Sequence, residues 1–533
     1  MKKLAALILT VAMLMSVIGV FPAMAEEEPV ELDIFYDFSW LHDGYTNSDS
    51  RVFKAVEEAT GVRMNVTRAK TSDGEQINLM LASGDLPDMV CVDYATAIYG
   101  ALRESNAVMD LMPLMEEYAP ELKERMGESY WNFYKSDAGI NNYFANCAFS
   151  PDIADKYAAF GGWCEVMAVR QDIYEAMGSP SLSNAEELLD HLRAVREAYP
   201  DVKVYAAANA ESLALTGRYS GLSWWKTAYG IETYYEEEDG TVVAAYNHPD
   251  YDEAIKLLNT MYLEGFITRE DLASTDEAND AKKESGEIYM FGASPADIRY
   301  APAGNPDVRY IASPVFDTWK GTQQGGIFWC ATFITNNCEH PDAAIKLLDY
   351  LTSEEGDRLN QWGIEGEDWE YNENGVPTYT DWYYEQNATS STEYNAQRGA
   401  VLMSMNWADH EWTNYNVPYE EEYMHQARTM MQDHYFCRLN FLSLDPTANS
   451  YESIVLQQCN DAWNAAIPEI IMAENNEAAL AKLEELKATM ESLDIASLEA
   501  YWTAQSNKIK EAFGEENMIL TGADAEIFHE TFG

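Results

Sequence analysis

The sequence predicts an α/β protein of two or more lobes with a helical C-terminal region. Three observations carry this expectation. The chain has 533 residues, more than one compact core ordinarily serves. Short apolar runs alternate with amphipathic helical stretches through its first half. Leucines recur at helical spacing towards its end.

The elements follow in order. Residues 31–36 alternate apolar and polar side chains and read as a first strand. A loop at 37–50 leads to an amphipathic helix through Val52, Val56 and Ala59, which stops at Gly61. Residues 62–67 form a second strand, and 77–82 a helix that enters the turn Ser83-Gly84-Asp85-Leu86-Pro87-Asp88. The apolar run 89–92 suits a buried parallel strand. This β-α-β-α-β order points to an open sheet with binding loops at its strand ends.

Residues 164–170 read as a strand and 172–177 as a helix ending at Gly178. A longer helix is capped near Ser183-Asn184, carries Glu186 and Glu187 in its first turn, and ends before Pro200. Another spans 249–264, with Ile255, Leu258 and Tyr262 on one face and Gly265 as its stop. The run Glu236 to Gly240 reads as a hairpin tip. Strands at 287–291 and 327–334 flank the Pro/Gly-rich stretch 295–314, and helices follow at 341–351 and 353–362. Two stripes close the chain: Leu480, Leu483, Leu486, Met490 and Leu493, then Leu498, Trp502, Ile509 and Phe513. Neither sustains a heptad repeat, so both are packing faces rather than a partner coiled coil.

Charge narrows the function. Asp and Glu number 90 against 34 Lys and Arg, a net charge of −56. Such a surface displaces no counterions from nucleic acid and is repelled by an anionic membrane. It fits a solvated, repulsive exterior on an exported protein. A hydrophobic share of 47% argues against wholesale disorder. Residues 1–25 read as a secretory signal, with Lys2 and Lys3, an apolar stretch at 4–20, and an Ala23-Met24-Ala25 cleavage site. The mature chain is expected to start at Glu26 without a lipid-anchoring cysteine. Cys91, Cys147, Cys164, Cys330, Cys338, Cys437 and Cys459 are scattered and lack C-x-x-C spacing. They read as buried thiols, with the oxidation of any one pair left open.

Signatures of catalysis fail in turn. His410-Glu411 has Asn at 414 where a zinc-binding helix needs its second His. There is no G-x-S-x-G elbow, P-loop or G-x-G-x-x-G, and Asp250-x-Asp252 does not continue as a calcium loop. The chain is expected to be no enzyme and to hold no metal or cofactor, though its carboxylates are plentiful enough to supply a glycosidase pair. Aromatic residues stand out instead. Trp40, Trp163, Trp224, Trp225 and Trp362 lie beside apparent turns. Adjacent tryptophans in a loop do not share one core face, so at least one of Trp224 and Trp225 is expected to line a cleft. Aromatic planes with a few polar groups suit sugar rings. The competing expectation is that these rings pack lobe against lobe.

Several segments, in order, carry a resemblance. They are Gly61-Val62 with Met80 to Asp88; Asp110-Leu111-Met112-Pro113-Leu114 with Tyr118-Ala119-Pro120; and Arg170-Gln171-Asp172. Tyr262 to Ile267, Ser285 to Met290, His340 to Tyr350 with Ser353 to Gly356, and Trp362 to Gly366 complete the set. Together they resemble the extracellular solute-binding proteins of bacterial ABC importers, in carbohydrate-binding family 1. The likeness is greatest to its large LplA-like and alginate-oligosaccharide-binder-like members.

The resemblance implies a two-lobed, periplasmic-binding-protein-like fold of type II, the Venus flytrap. Lobe one is expected at 27–148 plus 317–363, and lobe two at 149–316 plus 364–533. It also implies capture of a carbohydrate, an oligosaccharide, in the interlobe cleft by hinge closure and delivery to the ABC permease. A monomer is expected, outside the cell and held at its surface through the permease. A peptide or other small-solute receptor of the same fold and an exported glycoside-active enzyme are the alternatives. Expected cleft residues are Asp37, Trp40, Asp85, Asp93 and Tyr94 from lobe one, and Trp163, Trp224, Trp225 and Ser294 from lobe two. Trp329, Trp362 and Glu365 are placed near the crossing segments. Asp85 has a rival role as a turn and helix-cap residue. Where some large relatives carry a calcium loop, Ala198 to Lys203 offers too few carboxylates, so no calcium is expected there. An acidic sugar would need Arg170, Arg218 or Arg299 in the cleft; otherwise neutral sugars are favoured.

Overall fold

In the computed structural model the described residues are 28–71, 74–94, 96–146, 148, 166–206, 224–274, 282–283, 285–293, 298, 309–322, 328–373, 375, 377–404, 422–431, 434–441, 444–446 and 450–521. The signal segment, Trp163, Arg218, Ser294, Arg299 and His410-Glu411 lie outside them.

Strands β1 (Val30–Tyr36), β2 (Val62–Arg68), β3 (Met89–Asp93) and β4 (Phe144–Asn146) are joined by the late strand β12 (Cys330–Ile334) in a first sheet ordered β2-β1-β3-β12-β4. β1 runs parallel to β2 and to β3, while β12 lies antiparallel between β3 and β4. The apolar run of β3 is buried from Met89 to Val92, as a strand covered on both faces requires. Helix Arg51–Thr60 connects β1 to β2, burying Val52, Phe53 and Val56, and ends at Gly61, whose φ of 70° only glycine adopts readily.

A second sheet, ordered β10-β5-β9-β6, contains β5 (Val166–Arg170), β6 (Lys203–Ala206), β9 (Ile288–Ala293) and β10 (Tyr310–Ala312). β6 is parallel to β9, and β5 is antiparallel to both β9 and β10. Helix Ala185–Ala198 leads into β6, and its cap Asn184 accepts from the amides of Glu186 and Glu187, both at 3.1 Å. The edge strand β10 is blunted by Gln426, whose side chain accepts from Ala312 N at 2.9 Å and donates to Ala312 O at 3.0 Å.

The predicted hairpin tip connects β7 (Tyr234–Glu236) to β8 (Val242–Ala244), closed by Glu237 N donating to Thr241 O at 2.8 Å. A small third sheet, β11-β15-β16, joins β11 (Gly321–Thr322) to β15 (Tyr435–Arg438) and β16 (Ile519–Thr521). The C-terminal stripes are packing faces, as expected. Helices Tyr451–Ile471, Asn476–Ser492 and Ile495–Phe513 bury them against helix Tyr251–Leu263 and the β7–β8 hairpin. Asn259, wholly buried, donates to Ile471 O and Ala473 O at 2.8 Å each.

Residues 364–404 include the hairpin β13 (Trp369–Tyr371) and β14 (Pro377–Tyr379) and helix Asp381–Arg398. They pack against the first sheet's loop and helix. Arg51 pairs with Asp368, and Asn47 Nδ2 donates to Ala396 O at 2.8 Å. Gly399 makes the close approach possible, because a Cβ there would stand 2.1 Å from Ser50 Oγ.

Candidate functional site

Parallel strands β1, β3 and β4 end at one edge of the first sheet, and β12 begins there. The chain leaves β1 through Asp37, Phe38 and Trp40 and leaves β3 through Asp93 and Tyr94. It returns to the same edge through Phe328 and Trp329. Backbone bonds lock this meeting point: Asp37 N donates to Cys91 O at 3.0 Å, Tyr94 N to Trp329 O at 3.2 Å, and Trp329 N to Asn146 O at 3.0 Å. Asn146 is fully buried beneath it, accepting from Thr332 Oγ1 and donating to Met403 O, each at 2.7 Å. The β12 return and the segment at Met403 therefore meet on one side-chain amide.

Of the twelve predicted site residues, this edge gathers Asp37, Trp40, Asp93, Tyr94 and Trp329. Trp40 and Trp329 stack with ring centres 6.0 Å apart and planes at 25°. Phe38 braces both, at 5.9 Å from Trp40 and 5.5 Å from Trp329. Trp40 is 61% exposed, so its plane is open to a ligand. Tyr94 packs on Phe328 at 5.1 Å, and Asp37 is buried behind the platform. Phe38 and Phe328 carry no local signal of this role: Phe38 reads as an apolar loop residue and Phe328 as part of the strand predicted at 327–334, which begins only at Cys330.

Trp224 and Trp225 behave differently from the loop expectation. They open a short helix, Trp224–Ala228, and both are buried. Successive helical side chains diverge by about 100°, so each indole finds its own partners. Trp224 lies on β9 at Gly292, where a Cβ would stand 2.0 Å from Nε1, and stacks on Trp319 at 6.4 Å. Trp225 packs between Tyr205 and Phe316, at 5.6 and 6.4 Å. Burial pushes the Tyr205 hydroxyl well above its ordinary pKa, which keeps it a proton donor. Neither indole is an exposed platform. These rings cover the end of the second sheet where β6 and β9 finish, and they hold the returning segment 316–320 against it. Thr318 Oγ1 donates to Ala228 O at 2.6 Å, and Lys320 N to Thr227 O at 3.1 Å.

The remaining candidates lie apart. Asp85 precedes β3, at the opposite end of that strand from Asp93, exposed in a turn where its amide donates to Met80 O at 3.1 Å. The turn role fits this placement. Trp362 is fully buried in a separate small cluster with Trp369 and Tyr379, at 5.9 and 4.7 Å, while Glu365 is exposed in the following turn. Arg170 ends β5 at the opposite end of the sheet from Trp224; it pairs with Asp172 at 2.6 Å and donates to Gly286 O at 2.7 Å, before β9 begins. At the end of the segment Ala198 to Lys203, Lys203 is ion-paired with the buried Asp271. Among the described residues no group of three or more His, Cys, Asp or Glu is arranged to hold a metal.

Residues 51–363 match the model of the bacterial extracellular solute-binding protein family. Lipoprotein LipO of Bacillus subtilis (strain 168) is 21% identical over 335 residues, covering 60% of this chain and 63% of that protein. The match thus spans under two thirds of that relative's length. The substrate-binding protein FusA of S. pneumoniae, solved with kestose, superposes with a TM-score of 0.66 at 15% identity over 90% of this chain and 99% of that one. The alginate-binding protein AlgQ2, solved without calcium ion, gives 0.63 at 15% identity over 90% and 98%. These likenesses show the two-lobed, periplasmic-binding-protein-like fold. With the family model matched over more than half of its length, the chain belongs to the bacterial extracellular solute-binding proteins.

Proposed function

We propose that this chain is the substrate-binding component of an ABC importer, which captures an oligosaccharide at the Trp40–Trp329 platform and passes it to a membrane permease. The observation that carries the reading is the open, stacked indole pair, braced by Phe38 and flanked by Asp93 and Tyr94. Indole faces take the C–H side of a sugar ring, while carboxylate and phenol groups fix its hydroxyls. Kestose and alginate in the descriptions of FusA and AlgQ2 are in keeping with this substrate class. Ligand seated on the first sheet's edge would contact the second lobe on closure and stabilise the closed state by its differential affinity. The chain binds and releases; it breaks no bond. It works outside the cell as a monomer. The pairing of Arg170 with Asp172, away from the platform, favours a neutral sugar.

Isothermal titration against neutral and uronic-acid oligosaccharides, with product analysis of the same mixtures, tests the proposal. A neutral oligosaccharide is expected to bind without turnover and to raise thermal stability by mass action. Binding of peptides alone, or hydrolysis of the sugar, would overturn it.

A further inference from the structure

A cavity of about 260 Å³ opens between the β7–β8 hairpin, the end of β15 and helix Ile495–Phe513, on parts of the chain that contribute nothing to the indole platform. It is smaller than the ~300–1,000 Å³ common for drug-sized ligands. Its wall carries charges of both signs. Glu236 receives Arg438 Nη1 at 3.3 Å and also the Lys510 ammonium, and Arg438 Nε donates to Glu232 at 3.1 Å. Guanidinium has five N–H donors and ammonium three, so these pairs leave donors on both cations. Glu237 and Glu515 bring exposed carboxylates to the same cavity.

Asn440 supplies the independent sign of a ligand. It lines the cavity yet is 0% exposed. Its Nδ2 donates to Ser506 Oγ at 2.8 Å and to Glu236 Oε2 at 3.4 Å, which fixes the amide orientation. Its Oδ1 is buried and meets no donor among the described residues. A buried carbonyl oxygen without a donor is unfavourable, and a ligand N–H would satisfy it. Met518 and Ile519 add an apolar wall.

We infer that this cavity is a second binding site, which takes one free zwitterionic α-amino acid with an aliphatic side chain. The carboxylate would meet Arg438 and Lys510, the ammonium would meet Asn440 Oδ1 and the rim glutamates, and the side chain would lie on Met518 and Ile519. A molecule bearing one charge satisfies half of this wall and leaves the other half facing a like or absent partner. A metal ion has no matching group of ligands among the described residues.

Titration of the full chain with L-leucine tests the inference. Saturable one-to-one binding is expected, weakened about tenfold or more in Lys510→Met and in Glu237→Gln, each of which removes one charge-assisted contact. Glu237 is exposed, so its variant keeps the fold. Acetate and isobutylamine, with one charge each, are expected to bind at least about tenfold more weakly. Trp40→Ala should leave leucine binding unchanged, which separates this site from the sugar platform. Absence of binding, affinity in both charge variants equal to that of the unaltered chain, or loss of binding in Trp40→Ala would each overturn it.

Discussion

The guanidinium of Arg51 forks onto the buried carboxylate of Asp368, with Nη2 to Oδ1 at 2.7 Å and Nη1 to Oδ2 at 3.0 Å. The same carboxylate accepts from Ile364 N at 2.7 Å and from the Tyr394 hydroxyl at 2.8 Å. Arg51 also lies 4.8 Å over the Trp382 ring. One carboxylate thus ties residues 364–398 to the first turn of helix Arg51–Thr60.

Removing Asp368 strands a partly buried guanidinium and two other donors. Asp368→Ala is expected to cost about 3–5 kcal/mol of stability, read as a lower urea midpoint. An unchanged midpoint would mean that the segment is held by its apolar contacts alone.

Trp40 is open and packs on Phe38 and Trp329. Trp40→Ala should leave stability within about 0.5 kcal/mol while weakening oligosaccharide binding about tenfold, the size of one stacking contact. Calorimetric titration beside a melting curve separates the two effects. A large loss of stability with affinity intact would show the ring to be structural.

The second lobe should respond in the opposite sense. Trp224→Ala empties a core position and is expected to destabilise by about 3–5 kcal/mol. Gly292→Ala drives a methyl into the same indole and should cost about 1–3 kcal/mol. Denaturant midpoints followed by near-ultraviolet circular dichroism check both.

His191 brings a pH dependence. Burial holds its imidazole below the ordinary value, and its Nε2 lies 2.5 Å from the Tyr289 hydroxyl. The unfolded chain then takes up a proton near pH ~6.5 that the folded chain refuses. The stability held at neutral pH therefore falls as pH drops below that value. His191→Gln should flatten this part of the profile of melting temperature against pH between about 7.5 and 5.5. Parallel profiles for the two proteins would show that His191 does not contribute.

Local pattern reported the strands and helices well, because alternation, caps and glycine stops are written within a few residues of each other. Asn184, Gly61 and the apolar run of β3 all fell where the sequence put them. Partnership across the chain was harder to read. Nothing near Trp224 discloses that Gly292 and Trp319 receive it, and nothing near Asp368 discloses Arg51. The proposed ligand edge was legible where strand ends carry it, at Asp37, Trp40 and Asp93. It was illegible for Phe38 and Phe328, whose role arises only when β12 returns. The small cavity at Asn440 draws on residues from 236 to 519 and leaves no local trace.

The position of β12 also governs when the molecule can become itself. Until residues 330–334 leave the ribosome, β3 and β4 have no strand between them and the slot for Trp329 is vacant. The first lobe therefore cannot be completed before the entire second-sheet insertion has been synthesised, and its slow, long-range pairing comes last. The strand that completes the proposed ligand edge is thus also the one whose synthesis the first sheet must await.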